Sequence, residues 1–298
     1  MSRESAFIAR LAAIARDPAA RGLADDCAVL PMGTRDLVLT HDMLVEGIHY
    51  LPDDPPEDIA WKLVAVNLSD LAAKGARPIG VLLGYPLGPD AKWDAAFVRG
   101  LEAVLEAYAT PLLGGDTVRS TGARTLGLTA IGEVAPGGAP ARSGAKAGDG
   151  LWVTGTVGGA GLGLAVALGT RPFDAGLLAL YRRPEARLTA GAALAPRVDA
   201  MADVSDGLLI DAERIARASG LAVTIELDTV PFHPAVTGRL AAATAGDDYE
   251  LLFAAPAGFV CPEDVTASRI GTFTAGSGLK LTEGGEPIPL PATLGYEH

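Results

Sequence analysis

"IAWKLVAVNLSDLAAKGARP" runs from Ile59 to Pro78. Leu63, Val66 and Leu71 recur near one face at helical spacing, Gly75 offers a C-terminal cap, and Pro78 prevents continuation. The stretch therefore predicts a helix over Ile59–Ala76. One residue resists that simple picture. Asp70 falls mid-helix beside Leu68, Leu71 and Ala72, where aspartate is a poor helix former and no cap is needed. A buried carboxylate without a partner is costly, so it requires a cation. Asn67, Asp70 and Lys74 share one polar stripe. Either Lys74 supplies the charge, or a metal ion does.

Around this helix, strand-like and helical stretches mix. "DLVLTHDMLVEGIHY" (Asp36–Tyr50) reads as a strand and then a loop, and "PIGVLLGYPL" and "RTLGLTAIGEV" read as strands. "KWDAAFVRGLEAVLEAYA" reads as a second helix. "APGGAPARSGAKAGDG" (Ala135–Gly150), dense in Gly, Pro and Ala, is the best boundary, dividing the chain into 1–136 and 137–298. Beyond it, "LWVTGTVGGAGLGLAVAL" and "DAMADVSDGLLIDAERIARAS" each read as strand, turn and helix. "LAVTIEL" is another strand, and "AGDDYELLFAAP" sets a polar turn before a strand. Strands and helices mix in both parts, so the class is α/β or α+β.

The 298 residues suit two domains. No uninterrupted apolar run approaches the ~20 residues of a membrane span. The net charge of -12 argues against nucleic acid as a partner. It does not exclude anionic ligands, because a bound cation inverts the local charge. Cys27 and Cys261 form neither a disulfide framework nor a zinc spacing, which predicts a reducing compartment. "MSRESAFIARLAAIARDPAARG" is a poor signal peptide and reads as an ordinary first helix, so a cytoplasmic location is expected.

Aspartates stand in apolar or Gly-rich company at Asp25-Asp26, Asp42, Asp70, Asp116 and Asp203/Asp206. Each has a plain alternative: Asp206 as an N-cap, Asp116 as a turn residue, Asp25-Asp26 as a solvated turn. Taken together they favour hard divalent ions, since Mg²⁺ combines carboxylates with phosphate and water. Histidine and cysteine clusters are missing, as are a Walker A loop and the protein-kinase motifs.

In order, "DDCAVL", "THDMLVEGIHY", "WKLVAVNLSDLAAKGARP", "LLGGDTVRS", "RSGAKAGDGLWVTGTVG", "DVSDGLLIDAERIARASG" and "GDDYELLF" resemble the thiamine-monophosphate kinase family. That family sits in the aminoimidazole ribonucleotide synthetase-like superfamily, and the resemblance spans nearly the whole chain. It implies a two-domain fold whose N-terminal strands help form a barrel across a homodimer. It also implies ATP-dependent conversion of thiamine monophosphate to thiamine diphosphate, with several Mg²⁺ ions. By this resemblance Asp25, Asp42, Asp70, Asp116, Asp203 and Asp206 hold Mg²⁺, assisted by Thr40 and His41, and Asp25, Asp70 and Asp206 are closest to the chemistry. Gly115, Asp116, Arg142 and Ser205 contact ATP, with Tyr108 on the ATP side, and His49 and Asp247 contact the thiamine substrate. Taken alone, Arg142 reads rather as a solvated linker arginine.

The chain departs from the family pattern at Ala24 (usually Gly), His41 (usually Thr), Asp247 (usually Glu) and Thr293 (usually aromatic). The competing readings are another ATP-dependent synthetase of the superfamily and a non-catalytic nucleotide-binding relative.

Overall fold

The computed structural model describes residues 3–297; Met1, Ser2 and His298 of the terminal stretches lie outside the described residues. The first part of the chain runs α1 (Arg3–Ala12), β1 (Ala28–Pro31), β2 (Asp36–Val45), α2 (Pro56–Ala73), β3 (Arg77–Leu87), α3 (Ala91–Ala107), β4 (Leu112–Arg119) and β5 (Thr125–Val134). Its strands form one sheet in the order β1-β2-β5-β3-β4. Only the β3–β4 pair is parallel.

Helices α2 and α3 cover one face of this sheet. Val38, Leu44, Leu126 and Leu128 from the strands meet Leu63, Leu71 and Phe97 from the helices in one core. The other face is open. Cross-strand register places His41, Thr129 and Leu82 in one row, and Met43, Gly127, Gly84 and Asp116 in the next. Met43 and Leu82 on that face are exposed.

The Gly114-Gly115-Asp116 stretch, expected as a turn, lies inside strand β4. Pairing along β3 overrides the local turn signal, as tertiary context does for weak strand formers. All eight β4 residues are exposed. Within the described chain the sheet is open at β1 and β4, so no closed barrel forms.

The second part contributes β6 (Gly150–Thr154), α4 (Gly159–Ala167), α5 (Ala175–Arg182), α6 (Leu188–Leu194), β7 (Ala200–Asp203), α7 (Leu208–Ala218), β8 (Leu221–Glu226), β9 (Leu251–Ala255), β10 (Ala267–Ala275), β11 (Gly278–Glu283) and β12 (Glu286–Ile288). These strands make a seven-stranded sheet, β12-β11-β8-β10-β6-β9-β7. It is antiparallel except between β8 and β11. Helix α7 packs on it through Leu208, Leu209, Ala212 and Ile215.

The two parts meet on α2. From Ile59 to Ala73 only Trp61 is not fully buried. One side of the helix lies on β2 and β5, the other on α5, α6 and β7. A helix walled in on every side has an apolar circumference, which is why its few polar residues need partners nearby. The expected C-terminal cap is present: Lys74 ends α2, and Gly75 adopts φ +61°. There a Cβ would lie 2.3 Å from the Ala195 methyl.

Candidate active site

Three chain segments deliver the central acids. The turn before β1 carries Asp25 and Asp26, α2 carries Ser69 and Asp70, and β7 ends in Asp203. The last two segments meet directly, because Ser69 Oγ on α2 donates to Asp203 Oδ2 on β7 at 2.6 Å. Thr40 on β2 donates its hydroxyl to Asp70 Oδ2. Asp42, two residues along the same face, donates its backbone N–H to Asn67 Oδ1 at 2.9 Å. One carboxylate oxygen each from Asp26, Asp70 and Asp203 lie within 4.8 Å of one another.

The electrostatics of this trio are unbalanced. Burial pushes the Asp70 carboxyl well above its usual range, and the charges of Asp42, Asp203 and Asp26 push further. Burial and then Asp26 raise Asp203 to about 8, against the Ser69 hydrogen bond. Burial acts on Asp26 too, but Arg142 and Lys74 outweigh it and hold Asp26 low. Buried oxygens in this arrangement, with only hydroxyl donors on Asp70 and Asp203, fit a hard divalent cation. The nearby Cys27 thiol is not competitive, since burial and then Asp70 raise its pKa well above normal.

Lys74 does not neutralise Asp70. Its Nζ lies 2.5 Å from Asp25 Oδ1 and 2.6 Å from Asp26 Oδ2. Asp25 Oδ2 is also held, by Arg21 at 2.6 Å. Both acids of the pair are held by cations, but only Asp26 also joins the trio. The doubled acid was visible in the sequence; which of the two turns inward depends on a 3₁₀ segment just before it, with left-handed Arg21 and Gly22.

Arg142 is not a solvated linker arginine. It is paired with Asp26, and its linker packs against β7 and α7.

Asp206 lies one turn beyond Asp203. It does not cap α7, whose N-cap is Gly207 without a side-chain bond. Instead Asp206 Oδ2 meets Arg214 at 2.5 Å. The capping work falls to Asp211, which the sequence reading passed over. Its Oδ2 accepts from the backbone N–H groups of Ser205, Asp206 and Gly207 at 3.1, 3.1 and 3.2 Å. Asp211 lies inside the helix, where an acid carries no motif; only the Ser-Asp-Gly turn four residues before it hinted at a backbone in need of an acceptor. Burial raises Asp211 to about 6, and the Arg214 charge limits the rise.

A second group sits beside this turn. The backbone N–H groups of Asp247 and Tyr249 donate to the carbonyls of Ser205 and Val204, both at 2.8 Å, strapping the two turns together. Asp247 and Tyr249 both adopt left-handed backbone, φ +63° and +50°. Such strain in non-glycine residues is often found at functional sites. Lys62 donates to Asp247 Oδ2 at 2.8 Å and to the His49 carbonyl at 3.0 Å. Tyr249 donates its hydroxyl to Asp247 Oδ1 at 3.1 Å. Both sequence-predicted substrate contacts, His49 and Asp247, thus gather around one lysine that the sequence reading did not single out. Tyr108 lies nearer this side: its ring is 6.0 Å from that of Trp61, and its hydroxyl accepts from the Ala186 N–H at 2.9 Å.

His41, Gly115 and Asp116 lie on the first sheet away from the trio. His41 alternates with Thr40 and Asp42 along β2, so its ring lies on the open face, where Nδ1 meets Thr129 Oγ1 at 2.9 Å. Period-two alternation puts the His41 ring on the face opposite Thr40 and Asp42. Gly115 and Asp116 lie on exposed β4, and Asp116 shares the open-face row of Met43.

The N-terminal-domain pattern of AIR synthase related proteins matches residues 24–134, and the C-terminal-domain pattern matches residues 146–283. The chain is 41% identical to the thiamine-monophosphate kinase of Caulobacter vibrioides over 285 residues, covering 91% of this chain and 79% of that protein. It is 38% identical to the Escherichia coli thiamine-monophosphate kinase, covering 93% and 91%. The fold superposes on a structure described as AaThiL complexed with AMPPCP and TMP, with a TM-score of 0.88 and 26% identity over 98% of this chain and 96% of that one. A thiamine-monophosphate kinase structure from Stenotrophomonas maltophilia gives a TM-score of 0.77 at 32% identity, covering 94% and 95%.

Proposed function

The chain belongs to the thiamine-monophosphate kinase family, and on that premise we propose that it transfers the terminal phosphoryl group of ATP to thiamine monophosphate. The products are ADP and thiamine diphosphate. The observation that carries the reading is the buried trio of Asp26, Asp70 and Asp203, set beside the strained turn of Asp247.

The acceptor is a phosphate oxygen, already anionic near neutral pH, so the site requires no strong general base. The obstacle is repulsion between two polyanions. Mg²⁺ in the cleft supplies neutralisation and alignment for in-line displacement. Asp26, Asp70 and Asp203 would hold it, with Asp42 and Thr40 flanking. Asp206, together with Asp25 and its Lys74 partner, lines the surroundings. His41 can contribute only its backbone carbonyl. Arg142 and Ser205 would meet ATP at the same turn. Gly115 and Asp116 offer exposed backbone and a carboxylate from the sheet edge, and Tyr108 closes the side near Trp61. His49 and Asp247 would orient the thiamine substrate, with Lys62 fixing both.

The same reading divides the chain after Pro136 and places the protein in the cytoplasm, consistent with two free cysteines. It also pairs the open face of the first sheet with a second copy. Exposed Met43, Leu82 and Val118 and two unpaired edges support this, because an apolar sheet face is ordinarily covered. Two such sheets facing each other would complete a barrel across a homodimer.

The deciding experiment measures thiamine diphosphate from purified protein, ATP, Mg²⁺ and thiamine monophosphate, with thiamine and metal-free controls. Product that needs both the monophosphate and the metal is the expected result. Folded, ATP-binding protein that makes none would transfer the assignment to another synthetase chemistry of the superfamily.

A further inference from the structure

Lys74 is the largest fully buried side chain in the molecule that carries a charge. Its ammonium is reached by three oxygens: Asp25 Oδ1, Asp26 Oδ2 and, at 3.0 Å, the carbonyl of Met201 on β7. Carboxylate plus carbonyl oxygens are the donor set of a hard metal ion. The neighbouring cations do not duplicate the lysine. Arg21 takes the other oxygen of Asp25, and Arg142 the other oxygen of Asp26. Among the described residues, Lys74 is the one cation within ion-pair distance of Asp25 Oδ1 and Asp26 Oδ2. Asp26 in turn belongs to the trio with Asp70 and Asp203. The lysine point charge therefore stands at the rim of the divalent site, bound to an acid that the site shares.

Its placement is built rather than incidental. Lys74 is the residue that ends α2, so its stem leaves the helix where the turn tightens toward Gly75. The Asp25-Asp26 pair comes from another segment, and Met201 from the second sheet. A buried ion pair contributes little net stability by itself, but removing one partner leaves uncompensated charge. Here the loss would leave two carboxylate oxygens and a carbonyl converging on an empty point.

We infer that the Lys74 ammonium is a built-in counter-ion occupying the place of one divalent cation, which holds Asp25 and one oxygen of Asp26 in the metal-free protein and leaves the divalent ions to the trio of Asp26, Asp70 and Asp203. The inference rests on the kinase reading only in taking the cleft to be a metal site. Lys74→Met keeps the unbranched stem and removes the charge.

The test counts bound Mn²⁺ by electron paramagnetic resonance and records thermal unfolding of wild type and K74M, each in EDTA and in millimolar MnCl₂. The expected K74M binds one more Mn²⁺ per chain than wild type. It unfolds at a lower temperature in EDTA, and Mn²⁺ closes most of that gap, since a ligand specific to the native state stabilises it by mass action. An equal ion count, with a gap that Mn²⁺ does not change, overturns the inference. If that result comes with wild type that still forms thiamine diphosphate, the kinase reading stands and only the role of Lys74 falls.

Should K74M fail to fold with or without Mn²⁺, Asp25→Asn decides, with Lys74 intact. An unchanged ion count supports the inference, because Asp25 then lies outside the divalent set. Loss of a bound ion overturns it.

Discussion

The two ends of α2 handle their acids in opposite ways. Near the N-terminal end three acids each meet a cation. Asp54 meets Arg182 at 2.7 Å, Asp58 meets Arg183 at 2.5 Å, and Asp247 meets Lys62 at 2.8 Å. Near the C-terminal end cations hold Asp25 and Asp26, but Asp70 and Asp203 beside them receive hydroxyl hydrogen bonds from Thr40 and Ser69 and face other carboxylates. Both ends are buried and both are acid-rich. The difference teaches that burial does not mark a functional carboxylate here. An unmatched charge does, because folding tolerates it only where a ligand will answer it.

The comparison breaks most visibly at Asp203. Asp203→Asn should lower turnover by about a thousandfold, the scale on which loss of one charge-stabilising group acts. The same change should raise the melting temperature of the metal-free protein near neutral pH, since it removes a buried carboxyl that the fold must hold protonated. The pH dependence has a definite sign. The folded pKa of about 8 lies above the ordinary 3.8, so across that window the native state keeps a proton that the unfolded state has released. Stability in EDTA should fall as pH rises from 4 to 8 and then level off. Thermal unfolding of both proteins across that range checks this; a wild-type curve as flat as the variant's would show that Asp203 carries no such strain.

At the matched end the loss should be smaller and of a different kind. Lys62→Met frees Asp247 and the His49 carbonyl together. The Michaelis constant for thiamine monophosphate should rise about tenfold, the equivalent of ~1.4 kcal/mol, with that for ATP nearly unchanged. Steady-state kinetics varying each substrate separately would detect an equal rise in both, which would remove Lys62 from the substrate side. Arginine at the same position should recover most of the loss.

Leu82→Glu on the open sheet face sharpens the contrast from outside the cleft. It should convert a dimer to a monomer in sedimentation while the chain stays folded. An unchanged sedimentation coefficient would show that this face pairs no second copy.

The smallest effect belongs to Asp248. Its carboxyl accepts from the Gly158 N–H at 2.8 Å and from the Ala160 N–H at 3.4 Å, yet burial raises it to about 7. It therefore adds a loss of stability as pH rises from 4 to 7, which Asp248→Asn should remove. Urea unfolding at the two ends of that window measures the difference.

The fold was legible where periodicity and punctuation agreed. Ile59–Ala76 gave its helix, cap included, and β2, β5, β6 and β7 fell where alternating or apolar runs placed them. Strand β4 was not legible, because its Gly-Gly-Asp centre has turn chemistry and only the neighbouring β3 makes it a strand. Helices α5 and α6 and strands β10–β12 drew no expectation, since their patterns are short and their burial comes from distant partners. At the site, Asp70 announced itself by sitting where no acid belongs. Asp26, Asp211 and Lys62 did not, for their roles depend on which way a turn faces and on what lies across the domain contact. Helical spacing alone offers Lys74 beside a metal ion as the cation for Asp70, whereas tertiary packing carries its long stem to Asp25 and Asp26 instead.

The most direct test of the unmatched-charge account is a crystal of the protein soaked with Mn²⁺, a non-hydrolysable ATP analogue and thiamine monophosphate, read by anomalous scattering. The account predicts manganese peaks bonded to Asp26, Asp70 and Asp203, and none between Asp247 and Lys62. Peaks confined to the cation-matched end, or a trio without metal beside bound nucleotide, would contradict it.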